Sequence, residues 1–117
     1  VEIVEMSKLK RVYLACPYSH VNAEVKQTRF EAVNKIAAEF MAKGYLIFSP
    51  ISHTHPIALA GALPGHWEFW EAYDRTFIEW ADELWVLKLE GWNMSKGVKA
   101  EIAIAKAAGK PVRYIEP

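Results

Sequence analysis

The chain has no apolar run approaching the roughly 18–20 residues that a membrane span requires, and no signal-peptide pattern is visible in it. It holds a single cysteine, Cys16, so no internal disulfide can form. One free thiol fits a reducing compartment, and a cytoplasmic location is expected. Charge of one sign is also missing: 14 basic and 14 acidic residues leave a formal net charge of zero. The chain therefore lacks the electrostatic footprint of a nucleic-acid or anionic-membrane binder, and neither is an expected partner. Repeats, linkers and low-complexity stretches are absent. Neither G-x-x-x-x-G-K-S/T nor G-x-G-x-x-G occurs, which disfavours P-loop and dinucleotide sites. Gln occurs once and Asn is sparse, a composition met in heat-adapted chains.

What the chain does have is apolar and aromatic surface: 52% hydrophobic residues, with five Trp, five Tyr and five Phe. A length of 117 residues suits one domain spanning 1–117. Residues 1–8 are expected to be a disordered lead, with Met6-Ser7 as the natural start. Many aromatics crowd into residues 67–80, more than one small sheet can cover, so a homodimer or higher homo-oligomer is expected.

Short β-rich apolar runs alternate with helical patterns. The first run, residues 11–16, ends at Pro17, as a buried parallel strand would. Ser19 or Asn22 can cap a helix whose apolar stripe ends at Gly44. A second strand, 45–48, closes at Ser49-Pro50. A loop carrying His53 and His55 follows, with a short helical turn at 57–61. A long helix over 66–81, a strand over 84–89, a helix over 95–109 and a strand over 112–115 complete the chain. This alternation predicts an α/β fold: a flavodoxin-like three-layer α/β/α sandwich with a four-stranded parallel sheet in the order 2-1-3-4. Ligands of such sheets bind at the carboxyl ends of the strands, beside the reversal between strands 1 and 3. Loops 16–20 and 90–97 flank that point, which makes Cys16, Pro17 and Ser19 candidate binding residues.

Two carboxylates stand out because helical geometry turns them inward. At roughly 100° per residue, the apolar arc of helix 95–109 runs through Ile104, Ala108, Ala105, Val98 and Ile102, and Glu101 falls near its middle. In helix 66–81 the arc through Trp80, Tyr73, Phe77, Trp70 and Ile78 encloses Asp74. A buried charge without a partner costs several kcal/mol. Two such groups flanking one sheet suit paired carboxylate chemistry, one attacking or stabilising a cation while the other handles a proton. Plainer roles stand beside this. Glu101 near a helix start could complement the macrodipole, and Asp74 could pair with a buried arginine such as Arg29.

Ser95 reads first as an N-cap, although the capping-box position three residues on is Val98, which leaves Glu101 unexplained. Gly97 is costly in a first helical turn, unless a ligand such as an anion must approach the backbone N–H groups closely. Tyr13 is a strand residue by pattern, and Cys16 reads as a small buried hydrophobe. His53 and His55 offer two metal ligands with no third nearby, so neither a metal nor another cofactor is expected.

The runs Val12-Tyr13-Leu14-Ala15-Cys16-Pro17-Tyr18-Ser19, Tyr73-Asp74, Ala81-Asp82 and, above all, Ser95-x-Gly97-x-x-x-Glu101-Ile102-x-x-Ala105 resemble the nucleoside 2-deoxyribosyltransferase-like superfamily. The resemblance spans nearly the whole chain through short motifs, and is nearest to small bacterial members of unassigned activity. It implies that Glu101 attacks the anomeric carbon of a nucleoside or nucleotide, that Tyr13 orients Glu101, and that Asp74 assists proton transfer. It places His53 where relatives contact the base. Transferases acting on free nucleosides carry Asp where this chain has Ser95, whereas the related 2′-deoxynucleoside 5′-monophosphate N-glycosidases carry Ser. A hydroxyl beside helix N-terminal amides accommodates a phosphate that an Asp would repel. The first loop departs from that hydrolase pattern, with Cys16-Pro17-Tyr18-Ser19 in place of a glycine-rich turn, and leaves Ser19 or Arg29 as substitute phosphate ligands. Trp92 and the Trp67/Trp70 pair also depart from it and imply a reshaped base pocket. The expectation is an N-glycosidase or N-glycosyltransferase acting on a (deoxy)nucleoside 5′-monophosphate through a covalent glycosyl-Glu101 intermediate. Its rivals are a catalytically silent nucleotide-binding or regulatory module and a structural dimer protein of the same fold.

Overall fold

A computed structural model describes residues 9–117, so the expectation for residues 1–8 lies outside the described residues. Four strands, β1 (Arg11–Ala15), β2 (Leu46–Phe48), β3 (Glu83–Leu87) and β4 (Val112–Ile115), form one parallel sheet in the order β2-β1-β3-β4. Four helices connect them: α1 (Ala23–Ala42), α2 (Pro50–Gly61), α3 (Trp67–Trp80) and α4 (Lys96–Ala107). Parallel order 2-1-3-4 with helices on both faces is the flavodoxin-like arrangement expected from the sequence. No helix among the described residues is long and apolar enough to cross a membrane.

Strand alternation divides the core. On one face Val12 and Leu14 of the first strand, Cys16 just after it, and Trp85 and Leu87 of the third pack on Val33 and Ala37 of α1. On the other, Tyr13, Ala15, Leu84 and Val86 pack on Ile78 of α3 and on Val98 and Ala105 of α4. Tyr13 therefore faces the two helices that carry the inward carboxylates, because side chains two apart in a strand share a face. Asp74 and Glu101 are both buried in this layer.

Local chemistry explains most helix ends. Asn22 caps α1 by accepting from Glu24 N at 2.8 Å. The imidazole of His66 caps α3 through Phe69 N at 3.2 Å. Ser95 caps α4 through Val98 N at 3.2 Å. The carbonyls left over at the far end of α3 are met from another element. Lys110, on the turn before β4, points its ammonium at the carbonyl oxygens of Ile78, Glu79 and Ala81, so a cation sits where the helix dipole is negative.

Two expectations need correction. Residues 50–61 form a complete helix, where the sequence suggested a loop and one short turn. Ser49 caps it and Pro50 takes its first position, where the missing N–H costs nothing. β3 begins at Glu83 and ends at Leu87, earlier than the expected 84–89. The buried Glu83 carboxylate is satisfied there by Arg113 at 2.8 Å, Lys10 at 2.8 Å and the indole N–H of Trp85 at 2.9 Å. These donors hold its pKa down at about 2, Arg113 contributing most.

Candidate active site

The carboxyl end of the sheet opens into a crevice of about 560 Å³. The loop after β1 and the N-terminal ends of α3 and α4 form its sides, with α2 as one wall. Arg29, on α1, holds the rim together. Its guanidinium donates to the carbonyls of Tyr18 and Ser19 at 3.3 and 3.2 Å, and to that of Glu90 at 3.1 Å, stapling the loop after β1 to the loop after β3. Gly91 sits beside this staple with φ of 88°, and a Cβ there would press on the guanidinium at 3.2 Å. Opposite, the Ser19 hydroxyl donates to Gly65 O at 3.1 Å and the Trp70 indole to Pro64 O at 2.8 Å, fixing the loop between α2 and α3 over the crevice.

At the bottom, the Tyr13 hydroxyl donates to Oε2 of Glu101 in a short buried hydrogen bond. It also favours the charged form of Asp74. Burial pushes Glu101 up to about 8, the neighbouring Asp74 charge adding to the rise and the Tyr13 hydrogen bond opposing it. Asp74 is pushed up to about 7, again chiefly by burial. Tyr13 is pushed well above the usual phenol range by burial and by both carboxylates, so it stays a donor. Two buried carboxyls around one phenol share protons as a unit, and near neutrality the pair holds about one. Such a pair can supply a carboxylate and a carboxylic acid together, which is the requirement of two-carboxylate catalysis.

Cys16, Pro17, Ser19, Asp74, Ser95, Gly97 and Glu101 all line the crevice; Tyr13 stands behind Glu101, outside the lining. Cys16 is no nucleophile here, because burial and the Glu101 carboxylate drive its thiol upward against the opposing pull of Arg29. At Gly97 a Cβ would meet nothing closer than Ser95 Oγ at 3.9 Å, so no protein packing demands glycine. The space above it opens onto the crevice.

His53 is placed differently. It lies on the exposed side of α2, with its ring 6.2 Å from both Tyr73 and Phe48, and does not line the crevice; His55 does. The suggested Asp74–Arg29 pair does not form, since α1 and α3 cover opposite faces of the sheet. Trp92 turns toward Tyr114, at 5.4 Å, while Trp67 and Trp70 do line the crevice. Sequence reasoning gave no ligand-binding role to Tyr18, Lys26 or His55, which gather at the α2 wall of the crevice. Among the described residues, no three His, Cys, Asp or Glu side chains are grouped as a metal site.

The rim is cationic. Lys26 and Arg29 line the crevice, and among the described residues neither has a carboxylate within ion-pair distance, whereas Lys96 is paired with Glu68. Cations at the mouth, a helix N-terminus at the side and carboxyls at the bottom suit a ligand with an anionic end and a reactive carbon. No curated protein matches the chain. A family model matches residues 10–116, nearly the whole described fold, and the chain belongs to that family, a domain of unknown function designated DUF1937.

Proposed function

We propose that the protein cleaves the base–sugar bond of a (deoxy)nucleoside 5′-monophosphate. The observation that carries this reading is the buried Glu101–Tyr13–Asp74 group at the bottom of a crevice with a cationic rim. The resemblance of the Ser95–Gly97–Glu101 motif to the nucleoside 2-deoxyribosyltransferase-like superfamily supports it.

In this mechanism the Glu101 carboxylate attacks the anomeric carbon. The C–N bond breaks, its electron pair passes to the base nitrogen, and the protonated Asp74 delivers the proton that neutralises the leaving base. The glycosyl ester on Glu101 is then attacked by water, with Asp74 as base, releasing the sugar phosphate and restoring both carboxyls. A second base in place of water gives transfer. Glu101 has the higher pKa of the two, so ionised Glu101 beside protonated Asp74 is the minor one-proton form. The Tyr13 hydrogen bond opposes the rise at Glu101, which favours that form, and it holds the carboxylate for attack. Ser95, Gly97 and the first amides of α4 receive the phosphate, and Lys26 and Arg29 add long-range attraction. His53, facing away from the crevice, takes no part in this scheme.

Incubation with a panel of ribo- and deoxyribonucleosides and their 5′-monophosphates tests the proposal. Free base is expected from at least one monophosphate, faster than from its nucleoside. No release from any substrate rejects catalysis. Ligand-induced stabilisation without turnover would instead favour the silent binding module.

The same proposal includes self-association in a cytoplasmic setting. Phe69 is 45% and Trp80 37% exposed on α3, aromatic surface that the sheet leaves uncovered. Light scattering at micromolar concentration is expected to give a dimer mass or higher, and a monomer mass contradicts it.

A further inference from the structure

His55 is a buried imidazole that the proposed reaction does not use. It is 4% exposed, and its ring stacks on Phe30 with a centroid separation of 4.3 Å. Both ring nitrogens are engaged, Nε2 with Oε1 of Gln27 at 3.0 Å and Nδ1 with the Tyr18 hydroxyl. An amide oxygen only accepts, so Nε2 carries the ring proton and Nδ1 offers a lone pair. Burial and the nearby Lys26 ammonium both disfavour a second proton on the ring. The Tyr18 phenol must therefore donate to Nδ1. Its one proton is spent inside the wall, and its oxygen keeps only accepting capacity toward the crevice.

Thr54 repeats the pattern. Its hydroxyl donates to Pro50 O at 2.8 Å, leaving an accepting oxygen on the same wall. Lys26, whose ammonium lies 5.9 Å from the Tyr18 ring centroid, is the cation beside this pair. The flanking side chains Ile51 and Ala58 are apolar. A flat ring can lie against such a wall, and the hydrogen-bonding character of the wall decides which edge it can present.

We propose that Tyr18 and Thr54 form a subsite accepting hydrogen bonds from an exocyclic amino group of the ligand, with His55 and Gln27 as positioning residues for the Tyr18 hydroxyl. This rests on the proposed function in taking that amino group to be a nucleobase's. An aminopurine or aminopyrimidine sets donors against the two accepting oxygens. A base edge with carbonyls flanking a ring N–H sets acceptors against them.

Equilibrium binding to the Glu101→Gln variant, which cannot turn the ligand over, read by the protein's tryptophan fluorescence, tests the subsite with matched ligands. One pair is deoxyadenosine 5′-monophosphate and its purine analogue lacking the 6-amino group. The other is deoxycytidine 5′-monophosphate and its pyrimidin-2-one analogue lacking the 4-amino group. In that background the protein is expected to bind at least one amino-bearing member about tenfold or more tightly than its analogue. Tyr18→Phe is expected to remove most of that ratio. Equal binding within both pairs overturns the subsite while leaving the glycosidase reading intact; no binding of any nucleotide overturns both. Nitrogen chemical shifts of His55 in the unaltered protein give a separate readout of the positioning chain. A pyridine-type Nδ1 is expected, and a pyrrole-type Nδ1 reverses the donor direction and overturns the proposal.

Discussion

Glu101→Gln is expected to abolish base release and, at the same time, to make the protein melt at a higher temperature. The catalytic loss follows because an amide cannot displace the base, and removal of a nucleophile costs at least about a thousandfold in rate. The stability gain follows from burial. Folding raises the Glu101 pKa from an ordinary glutamate value to about 8. The stability of the protonated form is thus fully present below the unfolded pKa and is lost as pH rises through the folded one. Above pH 8 the wild type carries a buried charge that the variant lacks. A tenfold change in proton affinity corresponds to about 1.4 kcal/mol, so the variant should gain on the order of 2 kcal/mol there, after allowance for the Tyr13 hydrogen bond and the coupling to Asp74. Melting curves of both proteins from pH 5 to pH 9 should diverge as pH rises. A variant that still releases base, or that melts below wild type at pH 8, contradicts the assignment. The wild-type rate should peak near neutrality and fall on both sides, since the pair needs one proton and only one.

Trp85→Ala is expected to be the most damaging single truncation on the opposite face. The indole is 4% exposed, with the rings of Phe40 and Tyr45 set edge-on at 4.8 and 5.0 Å. Truncating a buried Trp to Ala costs about 3–5 kcal/mol, a large part of the roughly 5–15 kcal/mol that holds a domain together. The change also strips Glu83 of one of its donors, leaving it to Lys10 and Arg113. Trp85→Phe should fall between Ala and wild type, keeping most of the packing and losing the N–H. The urea midpoint is the measurement, read with its slope to confirm that the transition stays two-state. A midpoint for Trp85→Ala within experimental scatter of wild type would refute this account of the core.

The sheet order and the inward turn of Glu101 and Asp74 were legible because period and burial agree there. Strands 1 and 3 are buried on both faces, and α3 and α4 each keep one coherent apolar arc. α2 was not legible. Pro56 interrupts its interior, and its apolar residues follow no single stripe. Its packing comes from partners distant in sequence, Phe30 and Tyr18 around His55. The misreading had a direct consequence for the site. In a loop His53 and His55 are interchangeable, whereas in a helix two residues apart point some 200° from one another. Only one of them could face the crevice. The Arg29 contacts were equally hidden, since a helical wheel gives the face of α1 but not the side of the sheet it covers.

The grip of Lys110 on the end of α3 has a mechanical consequence. It ties α3 to the segment leaving α4 at the end remote from the crevice. At the crevice end the same two helices are joined by Lys96 and Glu68, whose side chains are 72% and 60% exposed, and exposed pairs of this kind hold weakly. The carboxylate-bearing helices are thus built like tongs, riveted at the base and latched only in solvent at the tips. A ligand that parts the tips breaks a latch that water readily replaces, while the rivet keeps Asp74 and Glu101 in register on either side of Tyr13.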